Sequence, residues 1–81
     1  MTVAPNKPTR LTNSIRALRF AHGEMTQAQL AERVGVTRQT IIAIEQGRYS
    51  PSLEMAFQIA RVFQVPLDAV FNYPDCEGEK R

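Results

Sequence analysis

Arg38 and Gln39 are neighbouring polar side chains whose chemistry suits the edges of nucleic-acid bases. Arginine carries a planar fork that matches O6 and N7 of guanine, and glutamine can pair with N6 and N7 of adenine. Ile42 lies one turn later and is expected to point outward, where it either meets a thymine methyl group or packs on a neighbouring side chain. The base-reading positions predicted from this pattern are Arg38, Gln39, Ile42 and Ala43.

These side chains need a helix pair to hold them, and the surrounding sequence predicts one. Two short helices over 27–34 and 38–46 are separated by Gly35, where the chain must turn sharply with a positive φ. Ala31 is small at the point where the helices would cross closely. Apolar residues recur where the pair must face a core, at Leu30, Val34, Val36, Ile41 and Ile44. The pattern is typical of a helix-turn-helix, which presents the start of its second helix to bases.

Capping residues mark the beginnings of the first three predicted helices. The first helix covers 11–21 and can be capped by Thr12 or Asn13. Thr26 and Gln29 form a capping box for the second helix. The third helix follows Thr37 as its N-cap, so that polar side chains occupy its first turn.

Two more helices complete the predicted fold, and no segment shows a convincing strand pattern. Ser50 is expected to cap the fourth helix, with Pro51 at its first helical position. Apolar residues follow at helical spacing from Leu53 through Phe63, including Phe57, and we expect this helix to pack mostly in the core. Pro66 opens a short fifth helix. We therefore expect a compact all-α domain of five short helices.

Length and charge set broad limits on the class of protein. The 81 residues suffice for one domain with a modest core, expected over 11–73, between a flexible arm over 1–10 and a flexible acidic tail over 74–81. Ten Lys and Arg against eight Asp and Glu give a net charge of +2. A strong general attraction to polyanions is therefore not indicated, and the placement of the cations matters more than their sum.

Residues that could support catalysis or metal binding are too few and too scattered. His22 is the only histidine, and its place at the end of the first helix is explained by capping and the helix dipole. Cys76 is the only cysteine, which excludes an intrachain disulfide and fits a reducing cytoplasm. No apolar run is long enough for a membrane span. We expect no catalytic residues, metal, cofactor or membrane association.

The chain resembles the Cro and lambda-repressor type of helix-turn-helix domain, the XRE family, over about three quarters of its length. The matching stretches are 15–19, 26–31, 35–41, 44–48 and 51–54. The resemblance implies a lambda-repressor-like five-helix domain that binds double-stranded operator DNA as a dimer and represses or tunes transcription. It also implies a phosphate clamp at Gln27, followed by further phosphate contacts at Thr37, Thr40, Gln46, Arg48, Tyr49 and Ser50. Packing over the entrance to the fourth helix is the alternative for Tyr49.

The same family register places Arg19 of the first helix opposite Glu45 near the end of the third. A half-buried pair of this kind would lock the third helix to the scaffold. The last helix and its extension carry more apolar residues than one core face needs. The predicted dimer surface is therefore Val70, Phe71 and Tyr73, with Phe20 of the first helix as a contributor.

Two other classes of function use the same fold. An antitoxin or a restriction-modification controller would bind a partner protein or its own promoter. A pure protein-interaction module would have lost DNA binding, but Gln27, Arg38, Gln39 and Arg48 all keep the polar character that DNA contact needs. An enzyme is the class that the sequence least supports.

Overall fold

The computed structural model describes residues 9–74, and it consists of five helices and one short strand pair. The elements in chain order are β1 (Thr12–Asn13), α1 (Ile15–Ala21), α2 (Gln27–Val34), α3 (Arg38–Glu45), α4 (Leu53–Phe63), α5 (Leu67–Val70) and β2 (Phe71–Asn72). Most of the predicted arm and tail, including Cys76, lies outside the described residues. Among residues 9–74, none of the helices has the length and hydropathy of a membrane span.

One apolar core is shared by all five helices. α2 packs against both α3 and α4, and α5 packs against α4. The side chains that are fully buried are Ile15, Leu30, Ile41, Ile44, Ile59, Phe63 and Val70. Burial of Ile41 and Ile44 on one side of α3 fixes which face of that helix is left for solvent.

The turn between α2 and α3 has the geometry that the sequence predicts. Thr26 accepts a hydrogen bond from the backbone N–H of Gln29, whose side chain accepts one in return, so the capping box is confirmed. Gly35 ends α2 with φ of +84°, in the left-handed region that glycine enters without a steric penalty. Thr37 caps α3 by accepting from the backbone N–H of Thr40. The boundaries of α3 are therefore set locally.

The strand pair corrects the expectation of a chain without strands. Thr12 pairs with Asn72 and Asn13 with Phe71, in an antiparallel arrangement. The predicted first helix began too early, because Thr12 and Asn13 are extended in this pair and the Asn13 Oδ1 atom accepts from the Ile15 N–H. The pair joins the two ends of the described chain.

Two further predictions about the later helices were wrong. Ser52 rather than Ser50 caps α4, because its Oγ atom accepts from the Met55 N–H. Pro51 consequently precedes the helix. Leu53 and Phe57 were expected to pack inward, yet Leu53 is 68% exposed and Phe57 is half exposed. The helical spacing was recognised correctly, but the apolar stripe of α4 is wider than the buried face.

Candidate nucleic-acid interface

The outward face of α3 begins with the two side chains that were predicted to read bases. Arg38 and Gln39 are both exposed in the first turn. Ile42 and Ala43 are partly buried one turn later. The structure therefore places four side chains of graded exposure along one helix, whose start is the most accessible part.

Arg19 and Glu45 form a buried ion pair that ties α3 to α1. The Arg19 Nε atom donates to Glu45 Oε2 at 2.7 Å, and Nη2 donates to Oε1 at 3.2 Å. About nine-tenths of each side chain is shielded from solvent. This two-point contact has the fork geometry in which arginine binds carboxylates most strongly, and it fixes the orientation of both side chains.

The same arginine also holds the start of the α2 segment. Its Nη1 atom donates to the Met25 carbonyl at 2.8 Å, and the Met25 N–H donates to the Arg19 carbonyl at 2.9 Å. The Gln27 side chain donates from Nε2 to Glu45 Oε1 at 3.2 Å. The predicted phosphate clamp is therefore part of the network around the ion pair, which the sequence did not reveal.

Asn13 is a second link to α3 that sequence reasoning missed. Its Nδ2 atom donates to the Ile44 carbonyl at 3.0 Å, close to the end of α3. The sequence indicated Asn13 only as a cap for the first helix, because the partner carbonyl is distant in the chain. Asn13 and Arg19 together attach the second half of α3 to the scaffold.

The other predicted phosphate contacts lie at the two ends of α3. Thr37 and Thr40 lie within hydrogen-bonding distance of each other at the start, with 3.0 Å between their Oγ1 atoms. After the helix, the Arg48 N–H donates to the Ala43 carbonyl at 2.9 Å, which holds the turn. The exposed side chains that follow α3 are Gln46, Arg48, Tyr49 and Ser50.

The four residues of the predicted dimer surface do not lie together. Val70 is fully buried and Phe71 is 7% exposed, because both pack in the core of their own chain. Phe20 and Tyr73 are exposed but line separate grooves. The expectation of a single surface made by these four residues is therefore wrong. Of the four residues, only Phe71 and Tyr73 line the same groove, an apolar one that they share with Leu11, Leu53 and Leu67.

His22 has a structural environment at the end of α1. Its Nδ1 atom lies 3.0 Å from the Leu18 carbonyl, and its ring meets Phe63 edge-on with 5.2 Å between ring centres. It is also the C-cap residue of α1. These contacts agree with the capping role expected from the sequence.

A family model described as helix-turn-helix matches residues 15–70, which include all five helices. The chain belongs to this family. Its members of the XRE type are DNA-binding transcriptional regulators and not enzymes, and the chain shares that class. The predicted resemblance to the XRE family is thereby confirmed.

Relatives in this helix-turn-helix family come from archaea and bacteria. An uncharacterised HTH-type transcriptional regulator of Methanocaldococcus jannaschii is 48% identical over 67 residues, covering 83% of this chain and all of the relative. The Bacillus subtilis regulator YgzD is 44% identical and covers 75% of this chain and 91% of its own length. A transcriptional repressor of a cryptic phage, RstR of Vibrio cholerae, is 34% identical over 69% of this chain and 50% of its own length.

A solved structure has the same fold as the present chain. It is the crystal structure of a Bacteroides fragilis protein provisionally assigned as DNA-binding. The TM-score is 0.67 at 27% sequence identity, with 76% of this chain and 98% of that chain covered.

Proposed function

We propose that the chain is a cytoplasmic repressor that binds a pseudo-palindromic DNA operator as a homodimer. The observation that carries the proposal is the presentation of α3. Arg38 and Gln39 are exposed at its start, while Ile41 and Ile44 anchor its opposite side in the core. A rigid helix with an exposed polar first turn is the form in which a helix-turn-helix enters the major groove.

In this proposal α3 contacts the bases, and the residues around it contact the DNA backbone. Arg38 and Gln39 bind base edges, and Ile42 and Ala43 contact the groove further along. Gln27 and the polar residues flanking α3 contact phosphates, which fixes the register of the protein without reading sequence. The ion pair of Arg19 with Glu45 acts indirectly, by holding α3 at one angle.

The dimer is required by the small size of one recognition unit. A single α3 spans few base pairs, and a net charge of +2 supplies little non-specific affinity. A second copy would bind the apolar groove in which Leu53 and Tyr73 are exposed. A twofold axis through this surface would let the same patch serve both partners and bring two copies of α3 to one face of the duplex.

Repression requires only that the protein occupies its site on the DNA, and it needs no catalytic activity. A dimer bound across a promoter blocks access of the transcription machinery without a further activity. The name of the Vibrio cholerae relative, a transcriptional repressor, supports the same direction of regulation. The reducing cytoplasm is the compartment that suits a chain with one cysteine.

The direct test is selection of binding sites from a pool of random duplexes by the purified protein. We expect enrichment of a site with two inverted half-sites whose centres lie ~34 Å apart, or one helical turn. Footprinting should then protect both half-sites at the same protein concentration. Expression of a reporter gene should fall when the protein is produced, if the promoter of that gene carries the selected site.

Three results would contradict parts of the proposal separately. If the selection enriched no sequence, the proposal of sequence-specific binding would be wrong. If an isolated half-site with one bound copy were enriched, the proposed homodimer would be wrong. A rise in reporter expression would replace repression by activation and leave the DNA-binding part intact.

A further inference from the structure

Two exposed side chains of α1 lie beside the proposed DNA contacts and have no role in the core. Phe20 is 52% exposed, and the guanidinium carbon of Arg16 lies 5.5 Å from the centre of its ring. Both side chains line a groove that is also lined by Gln27 of α2 and Arg38 of α3. The groove therefore runs between α1 and the residues proposed to meet DNA.

The charges in this groove favour an anion. The one salt bridge within residues 9–74 is that of Arg19 with Glu45, so Arg16 and Arg38 have no carboxylate partner there. Glu45 also lines the groove, but Arg19 neutralises it. Glu24 is the remaining acidic residue on the wall, and two unpaired guanidinium groups outweigh it.

The arginine is positioned for an anion by the aromatic ring. A cation over a ring face gains electrostatic attraction, which restricts the freedom of an otherwise exposed side chain. Arg19 approaches the same ring, with 5.6 Å between its guanidinium carbon and the ring centre. The Phe20 ring therefore contacts both the ion-paired Arg19 and Arg16, which has no carboxylate partner within residues 9–74, and half of Phe20 stays exposed.

We propose that Arg16 and Phe20 form an additional contact with the DNA backbone, on α1. The Arg16 guanidinium binds one phosphate through its N–H donors, and the Phe20 ring packs against the adjacent deoxyribose. The contact rests on the proposed function, because the backbone enters this groove only when α3 lies in the major groove. It holds the protein in register and carries no base preference.

A second copy of the chain is the less suitable occupant of this surface. An interface with twofold symmetry puts the same patch on both partners, so Arg16 of one copy would approach a patch that carries an unpaired arginine. The duplex instead supplies anionic phosphate beside apolar sugar, which complements both side chains. The backbone contact therefore accounts for the charge and for the exposed ring together.

The test compares Arg16→Gln with Arg61→Gln, which removes an exposed arginine of α4 that does not line the groove. Binding to the selected duplex and to a random duplex is measured by fluorescence anisotropy over a series of salt concentrations. We expect Arg16→Gln to weaken both complexes by the same factor and to lower the salt slope by about one unit. Arg61→Gln should leave affinity and slope unchanged.

A scan with methylphosphonates identifies the partner phosphate. Each modified duplex lacks the charge at one position, so a contacted phosphate weakens wild-type binding when it is neutralised. Neutralising one particular phosphate should weaken binding by the wild-type protein but should not further weaken binding by Arg16→Gln. Phe20→Leu retains apolar bulk without the aromatic face, and it should weaken binding while the thermal unfolding curve stays cooperative.

The outcomes separate this contact from the parent proposal. An unchanged salt slope for Arg16→Gln, or the absence of a matching phosphate, would overturn the contact while Arg38→Ala still loses base preference. Weaker self-association of Phe20→Leu with an unchanged salt slope would assign the surface to a second copy. A wild-type protein that selects no DNA sequence would overturn the proposed function itself.

Discussion

Arg38 carries the most specific expectation at the scale of single residues. Its exposed side chain has no carboxylate partner within the described part of the chain, so Arg38→Ala should leave the fold intact. Loss of a two-point contact to guanine should remove about 1–3 kcal/mol of discrimination at one base position. Binding to the selected operator and to its single-base variants measures the change.

Arg33→Ala is the matched control, since Arg33 is exposed near the end of α2 and does not line the groove with Arg38. It should keep the wild-type ranking of the operator variants. The base-reading role of Arg38 would be wrong if Arg38→Ala kept that ranking too.

The ion pair of Arg19 with Glu45 should act as one energetic unit. Removing either partner leaves a shielded charge, so each single alanine substitution should lower the free energy of unfolding by about 3 kcal/mol. The double substitution should cost less than the sum of the two, with a coupling energy of about 0.5–3 kcal/mol. Urea unfolding of the four proteins gives the cycle.

Glu32→Ala supplies the control for that cycle, because Glu32 is exposed on α2. Its effect should add to that of Arg19→Ala. Additive effects of Arg19→Ala and Glu45→Ala would mean that the contact contributes no pairwise energy.

At the scale of elements, the turn between α2 and α3 allows a clean measurement of backbone strain. A Cβ atom built on Gly35 would meet nothing within 4 Å, so a side chain there causes no clash. Gly35→Ala should therefore cost only the left-handed backbone conformation, about 1–2 kcal/mol. Gly35→Asn should cost less, because asparagine enters this region more readily. Thermal unfolding of the three proteins tests the order.

Equal stability of the alanine and asparagine variants would show that the backbone conformation does not set the cost. A much larger loss in both variants would point to a steric effect that the open surroundings of Gly35 do not predict.

The elements that sequence predicts well are those whose signals are local. The ends of α2 and the start of α3 follow from Thr26, Gly35 and Thr37, each of which acts on backbone groups within a few residues. The start of α1 could not be predicted in this way. Asn13 is extended because its partners are Phe71 in the strand pair and the Ile44 carbonyl, both far along the chain.

The candidate site shows the same division between local and distant information. The exposure of Arg38 and Gln39 follows from the apolar stripe of α3, which the sequence displays. The bond from Gln27 to Glu45 depends on how α2 and α3 meet, which the separate sequences of the two helices do not show. Burial of Phe71 was misjudged because a short terminal helix has the same composition whether its apolar side faces the core or a partner.

At the scale of the whole molecule, the exposed and buried apolar residues near the end of the fold should respond differently to charge. Tyr73→Asp places a carboxylate on a side chain that is 62% exposed, so the protein should fold and its self-association and operator affinity should weaken. Phe71→Asp would bury a carboxylate in the core and should prevent folding. Sedimentation and circular dichroism distinguish the two results.

Gln58→Asp is the control on α4, because Gln58 is exposed and does not line the apolar groove. It should sediment as the wild type does, with and without the selected duplex. A wild-type protein that is monomeric in both conditions would contradict the dimer, whatever the behaviour of Tyr73→Asp.

The short strand pair has a consequence for the order in which the chain folds. Thr12 donates to the Asn72 carbonyl across 60 residues, whereas α2 and α3 meet across a turn of a few residues. Closing the longer loop costs more chain entropy, so this pair should form after the rate-limiting barrier. Val70→Ala, beside the pair, should speed unfolding, while Leu30→Ala in α2 should slow folding. Stopped-flow folding and unfolding measurements test this order. We expect the strand pair to be among the last contacts to form and among the first to open.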